Sequence, residues 1–250
     1  MKALKAAGIA VGCVGALWLA DSAVAMHAEH AVSDRVEELT RLETPPDVYI
    51  GGLPYVTAAI TGTVPLLEVR SSDVEVPQLG MVNAQTTLRD VHITPQQVWT
   101  GDYDGAVAST LSRSLSLDGV ALGRLLGMTD LNINNPNNIS PSGGNSAEAE
   151  LTGTIPGDEK PTTVQVELRL EGPMFYMRPI DAPEGHVHDA FYLELDTRRL
   201  PLPAQATKVS LRGGTINVEV QRRNVELHLD LLSPLEIDGD YDKDGKQITS

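Results

Sequence analysis

Three segments of this chain alternate apolar and polar residues one by one, and that pattern restricts the fold more than any other feature. Val164, Val166, Leu168 and Leu170 fall on one face, against Gln165, Glu167, Arg169 and Glu171 on the other. Ile216, Val218 and Val220 oppose Asn217, Glu219 and Gln221, and Val225, Leu227, Leu229 and Leu231 oppose Glu226, His228 and Asp230. Successive side chains of a strand point to opposite faces, so period-2 patterning with one wet face predicts antiparallel strands. Gly213-Gly214 separates residues 209–211 from the segment opening at Ile216, which predicts a hairpin. Weaker strand patterns cover residues 61–76, 81–94, 105–117 and 147–155.

Helical periodicity is rarer. Residues 30–42 carry Val32, Val36, Leu39 and Leu42 at helical spacing, with Asp34, Arg35, Glu37, Glu38 and Arg41 between them. This predicts an amphipathic helix that ends before Pro45-Pro46. Short helices are expected at residues 54–60, at 95–99 with Thr94 as N-cap, and at 117–126, where Asp118 is the cap and Val120, Leu122, Leu125 and Leu126 are apolar. Residues 189–199 suit a helix or a strand. The stretch NINNPNN to SPSGGN, residues 132–145, reads as a turn-rich loop. There is no internal repeat and no Pro/Ser linker that would divide two domains. The expectation is one α+β domain over residues 26–235, with a long curved antiparallel sheet and one long helix.

The N-terminus limits where such a domain works. Lys2 and Lys5 precede an uncharged apolar run over residues 6–20, and Ala23-Val24-Ala25 supplies a small-x-small cleavage pattern. Residues 1–25 therefore read as a secretory signal peptide cut after Ala25, with an uncleaved membrane anchor as the alternative. Cys13, the only cysteine, lies in this leader, so the exported part has no disulfide and no Cys-based metal site. The chain carries a net charge of −15; the leader holds two lysines and one aspartate, leaving −16 on the remainder. That balance excludes nucleic acid as a partner, since nucleic acid needs a basic footprint. It also excludes electrostatic adhesion to anionic head groups, so contact with the cell membrane should be apolar and local.

Catalytic motifs are absent. The chain has no Gly-x-Ser-x-Gly elbow, glycine-rich phosphate loop, His-Glu-x-x-His or Cys-x-x-Cys. A carboxylate-dependent hydrolase acting on envelope glycans leaves no short motif, and it would need two acidic groups facing each other across a cleft. His186 and His188, flanked by Glu184 and Asp189, would face one side of an extended segment as metal ligands do, but the same residues make an ordinary polar loop. Asp240, Asp242, Asp244 and Gly245 resemble the opening of a calcium loop, yet the chain stops before a bidentate Glu, and residues 236–250 read as an acidic disordered tail. Neither a metal nor another cofactor is expected. Gly51-Gly52-Leu53-Pro54-Tyr55-Val56 combines paired glycines with an apolar cluster, which describes either a hinge with an apolar tip or a buried turn before a short helix.

The order of segments resembles the actinobacterial LmeA-like (lipomannan elongation factor A) envelope proteins. The resemblance rests on DRVEELTRL, PPDVYIGGLPYVTAAITG, VRSSDVEV, RDVHITPQQVWTG, SLDGVALGRLLG and LPLPAQATKVSLRGGTINVEV, spread over residues 32–231. It implies a curved sheet wrapped around a long helix, like the tubular lipid-binding (TULIP-like) domains, enclosing an apolar channel. It further implies non-enzymatic binding or transfer of a phospholipid or lipid-linked glycan precursor, in support of lipomannan elongation. On that fold, Leu53, Tyr55, Val56 and Ile60 are expected at the mouth, with Val36, Leu39, Leu122, Leu125 and Leu126 deeper inside. Aromatic residues make up only 4% of the chain, which suits an aliphatic interior with room for acyl chains. The alternative is a membrane-associated scaffold that docks onto an envelope glycosyltransferase without carrying lipid.

Overall fold

The computed structural model describes residues 2–40, 44–52, 54–76, 79–136, 143–180 and 182–235. The leader and the amphipathic segment form a single helix, α1 (Lys2–Thr40), 39 residues long. The continuity has a local cause: between Ala16 and Thr44 the sequence has no glycine or proline and is rich in alanine, the best helix former. Next come β1 (Asp47–Gly51), a 3₁₀ turn (Tyr55–Thr57) and α2 (Ala58–Thr61). The long strands β2 (Thr63–Val76), β3 (Gly80–His92) and β4 (Val107–Leu117) follow, with α3 (Pro95–Thr100) between the last two and α4 (Gly119–Leu126) after them. The remaining elements are β5 (Asn132–Asn134), β6 (Gly143–Gly144), β7 (Ser146–Gly153), β8 (Thr162–Glu171), β9 (Met174–Pro179), α5 (His186–Phe191), β10 (Leu193–Asp196), β11 (Lys208–Arg212), β12 (Thr215–Glu226) and α6 (Leu229–Leu232).

The fold is mixed α+β, with two antiparallel sheets where one was expected. A seven-stranded sheet runs β1-β2-β3-β4-β12-β11-β6, and a five-stranded sheet runs β10-β9-β8-β7-β5. The predicted hairpin is present: Arg212 pairs with Thr215 across Gly213 and Gly214, whose φ values of 55° and 77° suit a two-residue loop in the left-handed region.

The chain divides into two compact units. The first comprises residues 1–69, 87–111 and 223–233; the second comprises 70–86, 112–222 and 234–250. In the first unit, Ala25, Ala28, Val32 and Val36 of α1 pack with Ile50, Tyr55, Leu67, Leu88, Val98, Tyr103, Leu111 and Leu227. In the second unit, one apolar cluster joins Leu122 to the inner faces of β7, β8 and β9 and to Val209, Leu211 and Ile216. Another gathers Val76, Val82, Leu115, Leu117, Leu200, Leu202, Val218 and Val220.

Three local expectations are corrected. The alternation at residues 225–231 does not continue as a strand: β12 stops at Glu226, and α6 buries the consecutive Leu231 and Leu232, which a strand would place on opposite faces. The Asn-rich segment is not wholly loop, because Asn132–Asn134 pairs with β7 and Gly143–Gly144 pairs with β11. Residues 189–199 are neither one helix nor one strand; they contribute the end of α5, all of β10 and a 3₁₀ turn at Thr197–Arg199. The capped helices fall where expected. Thr94 and Gln97 form a reciprocal capping box at α3, and the Asp118 carboxylate accepts from Val120 and Ala121 N–H at 3.0 and 2.8 Å.

Candidate functional site

In the first unit, the side chain that fixes α1 is Asp21, a residue of the predicted leader. Its carboxylate is only 3% exposed and accepts from the backbone N–H groups of Tyr55 at 2.9 Å and Val56 at 2.7 Å. These donors open the 3₁₀ turn at Tyr55–Thr57, where the first N–H groups have no partner within the turn and the local dipole favours a negative charge. Further along α1, Glu29 Oε1 accepts from Ile50 N–H at 2.9 Å, and the Ser33 hydroxyl donates to Pro46 O at 2.8 Å. The Tyr55 hydroxyl donates to Val98 O at 3.2 Å and lies 2.9 Å from the Tyr103 hydroxyl. Burial pushes both phenols above their ordinary pKa, so the pair stays protonated and neutral at physiological pH.

In the second unit, three adjacent strands carry one polar residue each in an otherwise aliphatic buried row. On β2 the row contributes Ser71 to this unit; on β3 it contributes Ala84 and Thr86; on β4 it contributes Arg113, Leu115 and Leu117. Ser71, Thr86 and Arg113 themselves all belong to the second unit. Arg113 is 2% exposed, and its Nε donates to Thr86 Oγ1 at 3.3 Å. Ser71 Oγ is buried without a hydrogen-bond partner, which costs its desolvation. Sequence inspection missed this row, although the signal was present: in Leu111-Ser-Arg113-Ser-Leu115-Ser-Leu117 the arginine occupies an inward position of the period-2 pattern.

The residues expected to line a channel are distributed as follows. Val36 and Tyr55 are buried together in the core of the first unit. Val56 is half-buried, Leu39 is 42% exposed and Ile60 is 89% exposed. Leu53 lies outside the described residues. In the second unit, Leu122 is buried, while Leu125 and Leu126 are half-buried beside the same apolar cluster. Tyr55 thus holds α1 through its backbone N–H, while its hydroxyl ties it to Val98 of α3 and to Tyr103.

His186 and His188 do not lie on an extended segment. They sit two residues apart in α5, a spacing that points them to different sides of the helix, with His186 Nε2 3.4 Å from Asp158 and His188 Nδ1 3.4 Å from Asp189. Among the described residues no group of three or more His, Cys, Asp or Glu is placed to hold a metal ion. The calcium-like run at residues 240–245 lies outside the described residues. A cleft of ≈ 390 Å³ opens between β8 and the loop into α5, lined by Thr162, Thr163, Val164, Pro183, Glu184 and His186. Its volume is at the low end of small-molecule sites, and its lining joins the apolar Val164, Ala182, Pro183 and Val187 to the polar Thr162, Thr163, Glu184 and His186.

Comparison with known proteins gives one assignment. No curated protein and no solved structure matches the chain. A family model does match, over residues 19–221, most of the chain and all of β1 through β11. The chain belongs to the LmeA-like phospholipid-binding family.

Proposed function

We propose that this protein binds a phospholipid, or a lipid-linked glycan precursor, outside the cytoplasm and carries out no chemistry on it. The observation that carries the proposal is the family match over residues 19–221. Two structural features support it. The long strands present aliphatic rows, and each buried methylene of an acyl chain adds ~0.8 kcal/mol of drive toward such a surface. Arg113 and Thr86 interrupt those rows with a cation and a hydroxyl, the chemistry a phosphodiester needs when its tails enter an apolar interior. In this proposal Arg113 contacts the phosphate, Leu125 and Leu126 contact hydrocarbon, and the sheet curves around the tails as in tubular lipid-binding domains. The cellular role extends the proposal: delivery of lipid in the cell envelope in support of lipomannan elongation.

The test is the lipid content of the full chain purified from a lipid-rich host, read by native mass spectrometry and by lipid extraction. The expected result is about one phospholipid per chain, falling at least five-fold in Arg113→Met. Protein that is free of lipid in repeated preparations and takes up none from vesicles would overturn the proposal.

A further inference from the structure

The leader does not behave as a removable segment. Asp21 is buried and accepts the two hydrogen bonds that cap the start of the Tyr55–Thr57 turn, and Ala25 is buried in the same core as Ala28 and Val32. Cutting after Ala25 would delete both residues and leave two N–H groups at the start of that turn without their acceptor. The family match also begins at residue 19, upstream of the small-x-small pattern. Immediately before Asp21 the helix changes character. Residues 12–20 are all exposed, with Val14, Leu17, Trp18 and Leu19 between 58% and 71% accessible, and they follow on from Ala6-Ala7-Gly8-Ile9-Ala10-Val11 in sequence. A helical stretch such as residues 12–20, apolar on every side and exposed throughout, suits hydrocarbon rather than water.

We infer that residues 1–25 are retained, and that the segment before Asp21 inserts into the lipid bilayer as a permanent anchor for the folded units. Lys2 and Lys5 then lie on the cytoplasmic side, as the excess of basic residues on that side requires, and Asp21 marks the level at which the chain leaves the membrane. Among the described residues no helix is long and apolar enough to cross a membrane. The uncharged run of residues 6–20 rises only about 22 Å at 1.5 Å per residue. The lysine side chains and local thinning of the bilayer make up the difference from a core of about 30 Å. Exposed apolar groups on the first unit suit the same surface: Ile60 on α2 and Trp99 on α3, the latter 53% exposed and of the type that settles at a membrane interface.

The inference is independent of whether the interior holds lipid, and it is tested on the full chain expressed in an exporting host. Membranes are washed with alkaline carbonate, and the protein is extracted in detergent and weighed intact. The expected result is retention in the membrane pellet at the mass of the whole chain, with or without Met1. Ala23→Leu, an exposed position whose bulk blocks signal peptidase, should give the same mass and the same distribution. A wild-type mass that begins at Met26 or at any residue after Lys5 would overturn the inference. So would release of the full-length protein by carbonate.

Discussion

Replacing Asp21 with alanine removes one side chain and leaves two backbone donors unanswered. Hydrogen bonds to a charged acceptor contribute roughly 1.5–3 kcal/mol each. The two here differ in setting: the Tyr55 N–H is buried, whereas the Val56 N–H is partly buried and water can replace its acceptor. The expected loss is therefore about 2–4 kcal/mol, above the ~1 kcal/mol typical of an exposed cap. For a chain of this size that lowers the melting temperature by about 5–15 °C. Asp21→Asn keeps one carbonyl acceptor and should lose about half as much. Glu29→Gln, which keeps an oxygen for the single bond to Ile50 N–H, should lose less than about 1 kcal/mol. Thermal denaturation orders the three variants, and amide hydrogen exchange locates the effect, with protection falling at Tyr55 and Val56 before it falls in β8. If Asp21→Ala melts with the wild type and both amides stay protected, Asp21 does not hold this turn, and the case against cleavage after Ala25 loses its main support.

Gly101 has φ 65°, and a Cβ built there would lie 2.9 Å from Ala28 Cα, so Gly101→Ala should cost at least about 1–2 kcal/mol in chemical denaturation; an unchanged midpoint would show that α1 shifts freely at this contact. Leu122→Ala should lose about 2–5 kcal/mol as a buried core truncation, whereas the half-buried Leu126→Asp should stay within about 1 kcal/mol of wild type but at least halve the recovered phospholipid; equal lipid yields would remove Leu126 from the proposed site. The Arg198 guanidinium holds the Asp196 carboxyl at about 2, below its ordinary value. Because the folded carboxyl titrates below the unfolded one, its contribution is complete above about pH 4 and disappears as the pH falls through 2. The stability gap between wild type and Arg198→Ala should therefore narrow between pH 5 and pH 2, and a gap that stays constant would show that the ion pair is not its source.

Elements whose cause is local were legible in the sequence. The Thr94 and Asp118 caps, the Gly213-Gly214 turn and the strand faces of β8 and β12 depend on neighbours within a few residues, and the chain states them directly. Pairing is different. Alternation says which face of a strand is dry but not which strand lies beside it, so the partition into two sheets could not be counted from period-2 patterns alone. The continuity of α1 was obscured for another reason. Residues 6–20 are apolar all round and residues 30–42 carry a stripe, and the change of pattern looked like a boundary although nothing in the backbone propensity breaks there. At residues 227–231 the alternation was real but misleading, because the adjacent Leu231 and Leu232 both needed burial and only a helical turn supplies it. Arg113 was visible as a charge on the wrong side of a strand, and it was passed over because motif searches look for residues close in sequence.

Tyr55 shows how the same apolar residue acquires a role that composition does not reveal. Between paired glycines and an apolar stretch it resembles the tip of a binding loop, yet its N–H is held by Asp21 and its hydroxyl by Val98 O and the Tyr103 hydroxyl. The ring is buried in a packed core and cannot swing aside to admit an acyl chain without breaking both contacts of its hydroxyl. If this part of the first unit meets a bilayer, the side chain placed to do so is Ile60, which follows Tyr55 by five residues and stands almost fully exposed. The Asp21–Tyr55 link then has two consequences at once. It locks the short helix that carries Ile60 onto α1, and it does so at the residue where α1 ceases to be apolar all round. A mutation that frees Asp21 should therefore loosen the presentation of Ile60 without changing its exposure. Vesicle binding by Asp21→Ala should weaken less than binding by Asp21→Ala combined with Ile60→Ser, and identical binding by the two variants would show that Ile60 takes no part in membrane contact.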